Sequence, residues 1–92
     1  MDERSDKDLA DAANAGDEKA YAVLVKRYYR QVFLLCIGIV GNVDDAEDIA
    51  QDAMLRGFVK IKKLRDGSRF CPWIVRIAKN MCLNMLKRKK HL

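Results

Sequence analysis

Ninety-two residues, half of them apolar and a third charged, fit one globular domain of modest size and exclude a disordered chain. The longest uncharged apolar run, residues 32–40, is far shorter than the ~20 residues that span a bilayer, so no membrane segment is expected. The net charge of +5 is unevenly distributed: residues 1–54 carry six Lys/Arg against twelve Asp/Glu, whereas residues 55–92 carry twelve Lys/Arg against Asp66 alone. A one-sided positive field attracts polyanions, of which the backbone of a nucleic acid is the obvious one.

The first helix is predicted over residues 6–15, with Ser5 as its N-cap and Gly16 as its stop. The second follows Asp17 and runs to about residue 40. One face of the second helix is apolar at helical spacing and is predicted to enter the core: Tyr21, Leu24, Val25, Tyr28, Val32, Leu35, Cys36 and Ile39. Its second half, which includes Leu34, is apolar all round, so neighbours are expected to wrap it.

The third predicted helix opens with acids at residues 42–45 and runs to about Lys63. One side carries mostly small residues that allow close helix packing: Ala46, Ala50, Ala53, Met54, Gly57, Ile61 and Leu64. The opposite side, which faces away from the core, carries acids and aliphatics: Asp48, Asp52, Leu55, Val59 and Lys62, with Gln51 on the flank. An apolar pair framed by carboxylates indicates a docking surface for a protein partner. The alternative is two isolated exposed aliphatics, which are common on protein surfaces.

An Asp-Gly turn within residues 64–70 interrupts the helical pattern, and the last helix is predicted to begin near Ser68 or Pro72. Its inward face is apolar: Ile74, Val75, Ala78, Met81, Cys82, Met85 and Leu86. Its outward face combines an indole, amides and cations: Trp73, Arg76, Ile77, Asn80, Asn84 and Lys87. With Phe70 just before it, this face offers groups that stack on bases, contact base edges and hold phosphates, which favours single-stranded or opened DNA. The alternative is that Trp73 only fills the core.

Chemistry beyond binding has little support in the sequence. No Ser or Cys has an evident base partner and no Gly-rich phosphate loop is present, so we expect neither an enzyme nor a cofactor. The cysteines Cys36, Cys71 and Cys82 lack metal-ligand spacing and are predicted to be reduced thiols, with no metal site. A redox or metal switch made of Cys71, Cys82 and His91 is the alternative. The acidic, polar start of the chain lacks the features of a secretory signal, so a cytoplasmic location is expected.

Two segments, Asp-Ala-Glu-Asp-Ile-Ala-Gln-Asp at residues 45–52 and Phe-Cys-Pro-Trp-Ile-Val-Arg-Ile-Ala-Lys-Asn at residues 70–80, resemble region 2 of the extracytoplasmic-function (ECF) sigma factors. The resemblance extends through residues 16–21 and 24–28. It implies an all-α fold, a compact bundle of about four helices, with residues 1–92 forming a single region 2 domain. It also implies that the C-terminal helix-turn-helix domain, which complete factors use for the minus-thirty-five element, is absent from this chain.

The resemblance implies that the domain binds core RNA polymerase, at the clamp helices of the large subunit, and that it recognises and helps to melt the promoter minus-ten element. The polymerase-binding residues are then expected on the acidic and aliphatic side of the third helix: Asp48, Gln51, Asp52, Leu55 and Val59. The residues for the non-template strand are expected in a loop that cups a flipped base and on the last helix: Asp66, Gly67, Ser68, Arg69, Phe70, Trp73, Arg76, Ile77, Asn80, Asn84, Lys87 and Arg88. An anti-sigma factor is a further partner that such a domain admits.

Two departures from the family pattern concern the DNA side. Cys71-Pro72 replaces the more usual polar pair before the tryptophan, which would alter the loop, and Asn84 stands where an aspartate is frequent. Two other kinds of protein also fit the residues. A helix-turn-helix repressor would read duplex DNA as a dimer and would have no need of the acidic stripe. A protein-interaction module would direct the basic last helix at an acidic partner or a membrane surface.

Overall fold

Four helices make up the fold in a computed structural model that describes residues 2–90. In chain order they are α1 (Asp6–Asn14), α2 (Glu18–Val40), α3 (Val43–Val59) and α4 (Phe70–Lys90), with short 3-10 turns at Ile61–Lys63 and Gly67–Arg69. These residues contain no strand. The predicted all-α bundle of about four helices is confirmed. None of the described helices has an apolar stretch long enough to cross a bilayer.

Side-chain caps determine where the first three helices begin. Ser5, Asp17 and Asn42 each accept a hydrogen bond from a backbone amide of the turn that follows, at 3.1, 3.0 and 2.9 Å. Such a cap stabilises a helix by about 1 kcal/mol because it satisfies an amide that has no partner within the helix. At the other end of α2, Gly41 adopts φ +70°, a left-handed conformation that favours glycine, and its amide donates to the Ile37 carbonyl at 2.9 Å.

The core forms around α2, which contacts α1, α3 and α4. The largest side chains that are fully enclosed come from three of the helices: Leu9 of α1, Leu24, Val32 and Cys36 of α2, and Phe70, Ile74 and Cys82 of α4. α3 contributes mainly small buried residues, as its sequence predicts. Gly57 is the tightest point, because a Cβ there would lie 2.5 Å from the Ile74 side chain and 2.6 Å from the Tyr21 hydroxyl. That hydroxyl donates a 2.6 Å hydrogen bond to the Met54 carbonyl, which fixes α2 against α3.

The structure corrects the helix ends and two burial predictions. α3 ends at Val59 rather than near Lys63, and the chain continues through the first 3-10 turn. α4 begins at Phe70, which lies between the two predicted starting points. The prediction that neighbours wrap the second half of α2 is wrong at Leu34, which is 51% exposed, because the helix extends along one side of a four-helix bundle. Leu86, predicted to face inward, is 37% exposed near the end of α4.

The three cysteines are free thiols. Cys36 and Cys82 are fully buried where α2 meets α4, and burial, together with the hydrogen bond between the two thiols, raises the pKa of Cys36. Cys71 is half-buried and accepts a 3.5 Å hydrogen bond from the Gln31 amide. In the alternative switch, Cys82 would have to join Cys71, but it contacts Cys36 instead. His91, the third member of that hypothesis, lies outside the described residues.

Candidate functional site

The outer face of α3 is an open surface of mixed acidic and aliphatic side chains. All five residues predicted for polymerase binding are exposed: Asp48, Gln51, Asp52, Leu55 and Val59. Leu55 is 66% exposed and Val59 is 79% exposed. They face solvent because α3 turns its small residues toward α2 and α4, and no other described helix covers the opposite side. We call this set the α3 stripe.

Among residues 2–90, the charges of the α3 stripe have only weak partners. Asp52 lies 3.8 Å from the Arg56 guanidinium one turn away, and both side chains are about half exposed. Gln51 donates a long hydrogen bond, 3.4 Å, to the Glu47 carboxylate. Exposed pairs of this kind contribute about 0–1 kcal/mol, so a partner surface can replace them at little cost.

An apolar groove that the sequence did not reveal lies beside the α3 stripe. It has a volume of about 530 Å³ and lies between α2 and α3, with Gln51 and Leu55 on its α3 wall. The remaining lining residues are mostly apolar or aromatic: Glu18, Tyr21, Ala22, Val25, Tyr29, Met54 and Phe58. Tyr21 and Val25 were predicted to enter the core, and their helical spacing gives no indication that α3 leaves part of this face uncovered. The groove extends the exposed apolar surface from one helix to two.

The loop of residues 66–70 is more enclosed than predicted. Asp66 accepts hydrogen bonds from the Ser68 amide at 3.0 Å and from the Ser68 hydroxyl at 2.7 Å, and these bonds lower the pKa of its carboxyl group. Ser68 and Arg69 are exposed, whereas Gly67 is buried. The loop is therefore a structured turn with one exposed edge.

Phe70 is a correction, because the sequence suggested an aromatic ring available for stacking on a base. Its side chain is fully buried. The ring packs against Tyr21, Tyr28 and Trp73, with ring centroids 5.9, 5.9 and 6.0 Å away. A ring enclosed on these sides cannot stack on a base in this arrangement. Phe70 anchors the end of the loop in the core instead.

The first turns of α4 form a small pocket at the exposed edge of that loop. Arg69, Pro72, Trp73 and Arg76 line it together with Leu64, and its volume is about 160 Å³. Trp73 is half-buried, so it both packs on Phe70 and reaches the pocket. Trp73 therefore fills part of the core, as the alternative predicts, and also lines this pocket. A pocket lined by an indole and two arginines is a suitable surface for an unpaired base and its phosphates.

Farther along α4, the predicted DNA residues divide between two surfaces. Asn80, Asn84 and Lys87 are exposed and line one broad hollow. Ile77, which precedes them in α4, is half-buried. Arg88 lines a second surface, a groove of about 250 Å³ between α3 and α4, in which Asp48 and Asp52 of the α3 stripe also take part. Asn84 borders both surfaces.

One contact joins the acidic and basic parts of the molecule directly. The Lys89 ammonium, in the last turn of α4, lies 2.6 Å from the Asp45 carboxylate in the first turn of α3. Because the two residues are 44 positions apart, helical spacing gives no sign of this pair. Together with the groove that Asp48, Asp52 and Arg88 line, this pair places the two surfaces that the sequence predicts next to each other.

Comparison with known proteins identifies the family. The family described as Sigma-70 region 2 matches residues 24–92. The chain belongs to this family. Curated relatives of this sigma region 2 domain include the ECF RNA polymerase sigma factor SigW of Bacillus subtilis, which is 39% identical over 75 residues, 82% of this chain and 40% of that protein. The ECF RNA polymerase sigma factor SigM of Mycobacterium tuberculosis is 38% identical over 88 residues, 96% of this chain and 45% of that protein.

A third relative, the ECF RNA polymerase sigma-E factor of Escherichia coli, is 33% identical over 82 residues, 89% of this chain and 42% of that protein. The sigma region 2 domain therefore spans less than half the length of these relatives. The family match begins at Leu24, inside α2, so α1 lies outside it. The resemblance read from the sequence motifs to region 2 of ECF sigma factors is confirmed.

Proposed function

We propose that this domain binds core RNA polymerase through the α3 stripe and, in transcription initiation, recognises the non-template strand of the promoter minus-ten element through its 66–70 loop and α4. The observation that carries the proposal is the adjacency of two exposed surfaces with opposite charge. One is acidic and apolar and the other is basic and aromatic. The role is binding without catalysis, and a protein with these partners would act in the cytoplasm.

The polymerase side of the proposal is supported by the chemistry of α3 and its groove. Leu55 offers a large exposed aliphatic side chain next to an apolar groove, and Asp48 and Asp52 surround it with negative charge. Apolar anchors framed by charge are typical of protein interfaces, because the anchors supply affinity and the charges fix orientation. The expected partner surface is helical and basic, as we propose for the clamp helices of the large subunit. An anti-sigma factor that covered Leu55 would compete with polymerase for this site.

The DNA side of the proposal is supported by the basic half of the chain. Arg69 and Arg76 lie beside the Trp73 indole, and Asn80 and Lys87 continue the surface along α4. Extracting a base from a duplex costs a few kcal/mol of lost stacking and pairing, which a structured pocket can offset. Phosphate contacts by the cations would add affinity that falls as salt concentration rises. Such a surface would favour the melted over the paired form of the minus-ten element.

The polymerase half is tested with the double variant Asp52→Ala/Leu55→Ala. We expect its affinity for purified bacterial core polymerase to fall by about tenfold or more, since truncation of a central anchor commonly costs that much. The change should leave folding intact, because both side chains are exposed. Binding is measured by titration on immobilised core enzyme, and folding by circular dichroism.

The matched control is Asp11→Ala/Leu34→Ala, which removes the same two side-chain types from exposed positions on α1 and α2. It should bind core polymerase as the unaltered domain does. Equal affinities for the two double variants and the unaltered domain would refute the docking assignment. A domain that binds no core polymerase at all but still binds DNA would instead favour the repressor alternative.

A further inference from the structure

The 66–70 loop rests on α1. A Cβ added to Gly67 would lie 2.9 Å from the Ala10 Cβ, 3.0 Å from the Lys7 Cα and 3.1 Å from the Lys7 carbonyl oxygen. Two of these three atoms belong to the backbone of α1, which cannot move aside without moving the helix. A side chain at position 67 would therefore push the loop away from α1, because the backbones of the two segments lie against each other.

α1 is itself fixed to the rest of the bundle. The Asp6 carboxylate, in its first turn, pairs with the Arg27 guanidinium at 2.7 Å and accepts a hydrogen bond from the Tyr28 hydroxyl. That hydrogen bond and burial raise the pKa of Tyr28 to about 12. Leu9 is fully buried. Because Asp6 contacts two residues of α2 and Leu9 is buried in the core, α1 serves as a fixed support rather than a loose N-terminal segment.

The loop is thus held at three points. Asp66 closes its turn through Ser68, Gly67 contacts α1, and Phe70 inserts into the aromatic part of the core. Ser68 and Arg69, between the last two points, are exposed. A pocket for a base requires its groups to be held within about 0.5 Å of the productive position, and such precision needs rigid supports.

We propose that α1 is a positioning element for the base-recognising loop, and that the contact between Gly67 and Ala10 sets how selectively the loop accepts a base. This inference rests on the proposed DNA-binding function and adds a residue pair to it. One member of the pair, Ala10, lies outside the family match. Gly67, which the sequence places among the predicted DNA residues, and Ala10 are both buried, so they act by fixing where Ser68 and Arg69 lie.

The test is the variant Gly67→Ala, rescued by Ala10→Gly. Wild-type domain bound to core polymerase first selects its preferred strand from a pool of short single-stranded DNAs of random sequence. Selectivity is then the Kd for a strand in which the preferred bases are replaced, divided by the Kd for the selected strand. We expect Gly67→Ala to lower selectivity by about tenfold, the value of one good base contact. Affinity for the replaced strand should stay the same, because the phosphate-binding cations are unchanged.

The double variant Gly67→Ala/Ala10→Gly distinguishes a displaced loop from a general loss of stability. Ala10→Gly removes the nearest of the three clashing atoms, so the double variant should recover a substantial part of the lost selectivity. Cys36→Leu is the control, because it overpacks the core where α2 meets α4, at a fully buried side chain that lines neither the loop nor the base pocket. It should lower the melting temperature without lowering selectivity. Capture on core polymerase should be the same for all variants, which verifies that each is folded.

Wild-type selectivity in Gly67→Ala would overturn the inference and leave the proposed function standing. So would a loss of selectivity in Gly67→Ala that Ala10→Gly does not reduce, or an equal loss in Cys36→Leu. A wild-type domain that selects no strand from the pool would overturn the DNA half of the proposed function, and the inference with it.

Discussion

The two proposed binding surfaces are built in different ways. The α3 stripe consists of side chains on one face of one helix, all of them exposed and none needed for the core. The DNA surface is composite, since α1 supports the loop, Phe70 anchors it in the core, and Trp73 is shared between core and pocket. Substitutions in the α3 stripe should therefore change binding alone. Substitutions in the DNA surface will often change stability and binding together.

The sharpest contrast between the two surfaces is Phe70→Ala against Leu55→Ala. Phe70 is fully buried, so its truncation should cost about 3–5 kcal/mol of unfolding free energy, a large part of what a domain of this size has. Leu55 is 66% exposed and should change stability by no more than about 0.5 kcal/mol. Urea titration followed by circular dichroism measures both. If the Phe70→Ala domain is stable and loses only DNA binding, Phe70 contacts DNA rather than anchoring the core.

A second comparison divides the DNA surface itself into base and phosphate contacts. Asn80→Ala should reduce the preference for one single strand over another by about 1–3 kcal/mol, since an exposed amide can contact a base edge. Lys87→Ala should weaken binding to all strands alike. It should also lower the slope of log affinity against log salt concentration by about one. Both residues line the same hollow of α4. If the two variants weaken all strands equally, Asn80 makes no base contact.

The smallest expected effect concerns the pair that joins the two surfaces. The Asp45 carboxylate takes a position at Lys89 that a DNA phosphate could occupy. Asp45→Asn should raise affinity for single strands by about 0.2–1 kcal/mol, the range of an exposed ion pair. Asp44→Asn removes the same charge from the neighbouring residue, which does not pair with Lys89, and should have a smaller effect.

The Asp45 effect should vanish in a Lys89→Ala background if it acts through the pair. Fluorescence anisotropy with a labelled single strand gives all four affinities of this cycle. An equal gain for Asp44→Asn and Asp45→Asn would mean that only net charge matters.

The sequence predicts what is determined within one helix and fails where distant parts of the chain meet. Caps such as Ser5 and Asn42 mark helix starts, and helical spacing places Asp52 and Leu55 on an outer face, because both features depend on neighbours a few residues away. Helix periodicity cannot indicate that Phe70 is enclosed by two tyrosines of α2, since that depends on tertiary packing.

Three other features escaped prediction for the same reason. Gly67 was assigned to an Asp-Gly turn, which is correct locally, but its burial depends on α1, more than fifty residues earlier in the chain. The apolar groove arises because α3 covers only part of the face that Tyr21 and Val25 belong to. The pair between Asp45 and Lys89 joins the first turn of one helix to the last turn of another.

The central claim is that one domain holds core polymerase and an unpaired minus-ten strand at the same time on adjacent surfaces. The most direct measurement immobilises core polymerase, adds the domain, and records how much labelled non-template single strand is retained. The account predicts that the strand is retained only when the domain is present, and that Asp52→Ala/Leu55→Ala abolishes retention by releasing the domain. Retention that is independent of the domain, or a strand that displaces the domain from polymerase, would contradict it.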